Sequence, residues 1–199
     1  MLRDVLRYLG YPSNIEPDDE VRNLIQQALQ EVAACSQFNY RYAQYRDAFD
    51  FMHHEGYQQY LSGAESFLLC ATTLGTSVDR QLKRWQVRDM RYAVIFDAAA
   101  SVYLEHQADD FEKHLPFEQL GFRFCPGYGN TPLEDNRIIA EQLKAQTIGI
   151  TFLDSGLMVP MKSMVGLIRV GGNVKKTCDN CVALQRCAFR KRGERCYSE

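Results

Sequence analysis

The residues best suited to chemistry in this sequence stand in the stretch 121–134, GFRFCPGYGNTPLE. Arg123 precedes a turn with two glycines, and glycine lets a ligand approach the main chain closely. Thr131, Pro132 and Glu134 have the spacing of a capping box, which predicts that a helix begins directly after the turn. A guanidinium beside a glycine turn and a helix N-terminus is suited to a carboxylate or a phosphate. The alternative is a plain strand-to-helix turn with an arginine on the surface.

A second candidate site is the cysteine-rich end of the chain. Four of the seven cysteines lie close together there: Cys178, Cys181, Cys187 and Cys196. The lysines and arginines around them favour the thiolate form that binds metals. Zinc fingers usually have two Cys-x-x-Cys pairs, whereas this tail has one, and its uneven spacing favours a [4Fe–4S] cluster. The alternatives are a structural zinc ion or free cysteines on a basic tail. The basic run is also suited to an acidic partner surface, and a third hypothesis is a zinc module that binds nucleic acid.

The composition is that of an ordinary globular chain. Of the 199 residues, 46% are hydrophobic and 24% are charged, which is enough for one domain with a core and a small appendage. The net charge of −2 gives no general reason to expect a nucleic-acid or membrane partner. The first residues are charged throughout and lack the apolar core of a signal peptide, so we expect a cytoplasmic protein with thiols rather than disulfides.

The first half of the sequence predicts both helices and strands. Apolar residues recur every three or four positions after Asp18, which predicts an amphipathic helix. The alternation at 38–42 predicts a half-buried strand, and the apolar run at 66–74 predicts a buried one. Thr76 is expected to cap the helix that follows.

The second half adds the elements that must position Arg123. A long, alanine-rich helix is expected from Asp89 to about His114, and Glu105 lies within it. Later strands are expected at 147–153 and 164–170. Because helices and strands do not alternate strictly, the sequence favours an α+β fold over a doubly wound sheet.

The pattern Arg-x-x-x-Gly-Tyr at 123–128 resembles the S-adenosylmethionine-binding signature of the activation (reactivation) domain of cobalamin-dependent methionine synthase. Further segments resemble that family in the same order: 6–11, 70–75, 97–105 and 158–163. The resemblance implies a curved antiparallel sheet with surrounding helices. It covers most of residues 1–172, which form one expected domain, and leaves 173–199 as a cysteine-rich basic tail.

The resemblance also implies a function. A protein of this kind takes part in the reductive reactivation of a corrinoid-binding methyltransferase, most simply methionine synthase. S-adenosylmethionine donates the methyl group, and one electron is needed to convert cob(II)alamin to methylcobalamin. The cobalamin is expected on the partner, and the electron is expected from the tail cluster or from a separate donor such as a flavodoxin. The alternative is a non-enzymatic docking module that presents a metal or redox site to a corrinoid protein.

Residue roles follow from the matching positions. Arg123 is implied to hold the carboxylate of S-adenosylmethionine, and Gly127 and Tyr128 to shape the turn around the ligand with main-chain groups near Cys125. Glu105 is implied to face the ammonium or sulfonium charge, and the alternative is that it lies on a solvated helix face. No catalytic side chain is expected, because the corrinoid is itself the nucleophile and the protein supplies positioning.

Overall fold

The computed structural model of the protein describes residues 1–172, 178, 185–193 and 195. Its helices are α1 (Leu2–Tyr8), α2 (Asp19–Cys35), α3 (Glu55–Leu61), α4 (Thr76–Arg88), α5 (Met90–Glu112), α6 (Asp135–Gln142) and α7 (Ala188–Lys191). Its strands are β1 (Asn39–Tyr45), β2 (Ser66–Thr73), β3 (Thr151–Phe152), β4 (Met158–Val159) and β5 (Ser163–Val170). Short 3₁₀ turns lie at Asp50–His53, Tyr128–Asn130 and Ala145–Ile148.

The main sheet has the strand order β1-β2-β5, and both pairs are antiparallel. β2 is central and all eight of its residues are buried, which explains its almost unbroken apolar run. The segment 120–124 continues the sheet beyond β5 through bridges from Leu120 to Val170 and from Phe124 to Leu167. β3 and β4 form a separate hairpin. Helices combined with an antiparallel sheet confirm the predicted α+β class.

Helices pack on both faces of the sheet. α3 and α6 cover the face that carries Leu69 and Leu167. On the opposite face, Tyr40 of β1 stacks on Phe111 near the end of α5, with ring centroids 4.4 Å apart. α1, α2 and α4 pack around the rest of α5, whose buried alanines allow close approach. Among the described residues, no helix is both long and apolar enough to cross a membrane.

The helix starts test the predicted caps. The helix expected after Asp18 is present as α2, and Asp18 caps it, since its carboxylate accepts the Val21 N–H at 2.8 Å. The prediction for Thr76 is wrong, because Gly75 occupies the N-cap position and Thr76 is already helical. The capping box at Thr131 is also wrong: α6 begins only at Asp135, without a side-chain cap.

The strand predictions were correct for the main sheet and wrong for the segment that follows α6. β1, β2 and β5 lie at the predicted positions. The strand expected at 147–153 is reduced to Thr151–Phe152. Lys144 and Gly149 adopt left-handed backbone conformations on either side of the 3₁₀ turn, so the chain there cannot be extended.

Candidate functional site

Arg123 is held against α5 by carboxylates. It lies in the segment beside β5, and its side chain is only 5% exposed. Its Nη2 donates to Glu105 at 2.8 Å and to Asp109 at 3.0 Å, and its Nη1 donates to Glu112. Burial opposes its charge, but the Glu112 and Glu105 carboxylates more than offset this and raise the pKa of Arg123. Arg123 is therefore a buried, ion-paired cation, and the surface arginine of the alternative interpretation is wrong.

The three carboxylates lie on one face of α5, because their positions are separated by four and three residues. Glu112 is the fixed partner: its side chain is 13% exposed, and the Tyr40 hydroxyl also donates to it, at 2.7 Å. Burial raises the pKa of Glu112, and Arg123 and Tyr40 partly offset that rise. The side chains of Glu105 and Asp109 are 41% and 60% exposed, so they can turn into solvent. Arg123 thus has one fixed and two exchangeable partners.

Glu105 also lines a cleft of about 170 Å³. The walls come from α1, α5 and the segment 161–164: Tyr8, Ser101, Leu104, Glu105, Met161, Lys162, Ser163 and Met164. Lys162 donates to the Ser101 hydroxyl at 2.8 Å and forms an ion pair with Asp97 at 2.8 Å, which compensates its charge. The cleft therefore offers a ligand one carboxylate, several hydroxyls and apolar side chains.

The glycine turn that follows Arg123 is closed by a threonine. Gly127 has a φ of +94°, a left-handed conformation that favours glycine. Its N–H donates to the Thr131 hydroxyl oxygen at 3.0 Å, and that hydroxyl donates to the Tyr128 carbonyl at 2.8 Å. The Thr131 side chain is thus used inside the turn, which is why it does not cap α6.

Cys125 precedes this turn and Tyr128 lies within it. The Tyr128 side chain is half-exposed and packs edge-on against Phe124, with ring centroids 5.9 Å apart. A β-carbon at Gly166 would come within 3.3 Å of the Cys125 sulfur and 2.7 Å of the Phe124 carbonyl oxygen. The missing side chain of Gly166 therefore lets the Arg123 segment lie directly against β5.

The predicted ligand-binding residues are thus only partly brought together. Arg123 and Glu105 are in direct contact, and Glu105 reaches the cleft. Gly127, Tyr128 and Cys125 follow Arg123 in the chain, but the described residues that line the cleft do not include them. Their roles in binding stay predictions.

Sequence reasoning missed the other partners of Arg123. Asp109 and Glu112 share a helix face with Glu105, and the acidic spacing at 105, 109 and 112 was the signal that could have revealed them. Tyr40 could not have been found in this way, because it is brought in from a distant strand.

The cysteine tail is only partly described. Cys178 and Cys187 are half-buried free thiols, and Cys181 and Cys196 lie outside the described residues. Within the ranges that the structure describes, no three His, Cys, Asp or Glu side chains are placed to hold a metal ion. Because half of the predicted ligand set is outside those ranges, the iron–sulfur and zinc alternatives stay predictions.

Comparison with known proteins gives one kind of match. No protein-family model matches the chain, and no curated protein matches it. Among solved structures, the chain is similar to the crystal structure of the MetH reactivation domain bound to AdoHcy (S-adenosylhomocysteine), with a TM-score of 0.61 and 18% sequence identity. The match covers 98% of this chain and 83% of that chain. The fold that the sequence resemblance implied is therefore confirmed: the chain has the fold of the MetH reactivation domain.

Proposed function

We propose that the protein binds S-adenosylmethionine in the cleft beside Glu105 and serves in the reactivation of a corrinoid-dependent methyltransferase. The observation that carries the proposal is that Glu105, which lines this cleft, is paired with Arg123. It occurs in a chain with the fold of a reactivation domain whose crystal structure contains AdoHcy.

The amino-acid part of the ligand is a zwitterion, and its two charges match the pair. The ligand carboxylate takes the Nη2 of Arg123 in place of Glu105 and Asp109, as a charge-assisted hydrogen bond. Glu105 then turns to the ligand ammonium. Glu112 keeps the Nη1 throughout, so the guanidinium is never left buried without a carboxylate. Glu105 pairs with the ligand ammonium and the exposed Asp109 carboxylate returns to solvent, so binding requires no uncompensated buried ion.

The protein supplies binding and orientation rather than acid–base groups. One electron reduces the cob(II)alamin of a partner protein, the methyl group of S-adenosylmethionine passes to that corrinoid, and S-adenosylhomocysteine is released. The partner of this proposal is a corrinoid-binding methyltransferase of the methionine synthase type. The electron donor is either a flavodoxin-like protein or a cluster held by Cys178, Cys181, Cys187 and Cys196.

The test is titration calorimetry with S-adenosylmethionine on the wild type and two matched variants. Glu105→Gln and Asp109→Asn each remove one carboxylate charge from the same helix and the same guanidinium nitrogen. Of these two residues, Glu105 lines the cleft and Asp109 does not. We expect Glu105→Gln to weaken binding about tenfold or more, the effect of one hydrogen bond to a charged group. Asp109→Asn should leave affinity unchanged or raise it slightly, because it removes a competitor for Arg123.

Two outcomes would count against the proposal. A wild type that does not bind S-adenosylmethionine removes it altogether. Equal losses in the two variants would mean that the general negative charge of α5, and not a contact in the cleft, attracts the ligand.

A further inference from the structure

A buried carboxylate lies behind one wall of the cleft. Asp79 is in the first turn of α4 and is 9% exposed. Its Oδ2 accepts the main-chain N–H of Met161 at 2.8 Å. Its Oδ1 is buried and has no hydrogen-bond partner among the described residues.

This arrangement is unfavourable for stability alone. A buried acceptor without a partner loses its hydration and gains nothing in return. The N-terminal end of α4 stabilises the negative charge of Asp79 through the helix dipole. The specific contact that the carboxylate makes, however, is with Met161, a residue on the wall of the cleft.

The wall itself is the segment 161–164. Met161 is 51% exposed and lines the cleft together with Lys162. The Lys162 carbonyl accepts the Leu74 N–H at 2.9 Å, and its ammonium reaches Ser101 on α5. These contacts fix Lys162, whereas the main chain at Met161 is tied to α4 by Asp79.

We propose that Asp79 is a positioning residue: without touching the ligand, it holds the main chain at Met161 so that the segment 161–164 keeps the shape of the S-adenosylmethionine cleft. The ligand part of this inference rests on the proposed function, whereas the part that concerns the wall does not.

The test compares Asp79→Ala and Asp79→Asn with Asp18→Ala as a matched control. Asp18 also accepts a main-chain N–H at 2.8 Å at a helix start, but it lies on α2, which contributes no residue to the cleft lining. Two quantities are measured: hydrogen exchange of the Met161 amide and the Kd of S-adenosylmethionine.

We expect Asp79→Ala to speed exchange of the Met161 amide about tenfold and to weaken binding by about the same factor, the effect of one hydrogen bond. Asp79→Asn keeps an oxygen acceptor and should stay within about twofold of the wild type in both. Asp18→Ala should destabilise the fold and leave both quantities unchanged. If Asp79→Ala does not fold, Asp79→Ser is measured instead. The serine hydroxyl is too short to reach Met161, so this variant also lacks the hydrogen bond to the Met161 N–H.

Unchanged exchange at Met161 in Asp79→Ala would overturn the inference, as would faster exchange with unchanged affinity. An equal response of Asp18→Ala would reduce Asp79 to a purely structural residue. A wild type that fails to bind S-adenosylmethionine contradicts the proposed function, and the exchange measurement then decides the role of Asp79 in the wall.

Discussion

Two buried arginines lie in neighbouring segments at the edge of the sheet, one packed against α5 and the other against α3, and their partners differ in kind. Arg123 is surrounded by carboxylates of α5, two of which are exposed enough to move away. Arg169 of β5 is 2% exposed and donates instead to the main-chain carbonyls of Gly171 at 3.1 Å and Tyr60 at 3.2 Å. No ion pair to Arg169 is formed by the residues that the structure describes.

The difference separates a structural cation from one that can bind a ligand. Tyr60 lies in the last turn of α3, so Arg169 caps the negative end of that helix. Main-chain carbonyls are fixed by the fold and cannot be exchanged. Carboxylates on flexible side chains can be replaced by the carboxylate of a ligand, and of these two buried arginines Arg123 is the one with such partners.

The largest expected effect is on stability at Arg123. Arg123→Ala leaves Glu112 buried without its guanidinium, so we expect a loss of about 3–5 kcal/mol in the free energy of unfolding, measured with urea. Arg91→Ala is the control, because its ion pair with Glu20 is more than half exposed and contributes at most about 1 kcal/mol. A loss at Arg123 no larger than the loss at Arg91 would show that the buried cluster is not a stabilising unit.

A smaller effect is expected at Arg169. Arg169→Lys keeps the charge but loses the planar fork that reaches two carbonyls, which should reduce the free energy of unfolding by about 1–3 kcal/mol. The affinity of the Arg169→Lys variant for S-adenosylmethionine, measured by calorimetry, should equal that of the wild type. A variant that loses affinity while it remains folded would remove the contrast between the two arginines.

The smallest effect concerns pH at Glu112. Burial raises its pKa above the ordinary carboxyl value of 4.5, so the folded state binds this proton more tightly than the unfolded state. The contribution of Glu112 to stability is therefore fully present at low pH and falls as pH rises through the raised pKa. Urea unfolding of the wild type and of Glu112→Gln measures this contribution. The interval is about pH 4 to 7, which starts near the ordinary carboxyl pKa and extends above it.

The stability difference, wild type minus Glu112→Gln, should decrease across that interval. An increase with pH would mean that Arg123 outweighs burial and lowers the pKa of Glu112. The ion pair between Glu112 and Arg123, which is proposed to persist when the ligand binds, would then be stronger than the structure indicates.

The local sequence was enough to predict the positions of most helices and strands, but not which side chains contact each other. β2 and α2 were predictable because burial on all sides and an amphipathic face leave direct signals in the sequence. The start of α6 was not, because the Thr131 hydroxyl found partners inside the preceding turn, a competing use that its sequence spacing does not reveal.

The candidate site shows the same limit. Arg123 and Glu105 were identified through the resemblance of their segments to a known family, and they prove to be in contact. The resemblance did not indicate that Arg123 is already ion-paired. The ion pairing of Arg123 depends on packing between α5 and the sheet, which also brings Tyr40 to Glu112 across 72 positions of sequence.

The most direct measurement is a crystal structure of the protein with S-adenosylhomocysteine. We expect the ligand carboxylate to contact the Nη2 of Arg123, Glu105 and Asp109 to have released that nitrogen, and Glu112 to remain on Nη1. A ligand bound elsewhere, with all three carboxylates still on Arg123, would contradict the proposed function and leave Arg123 as a structural residue like Arg169.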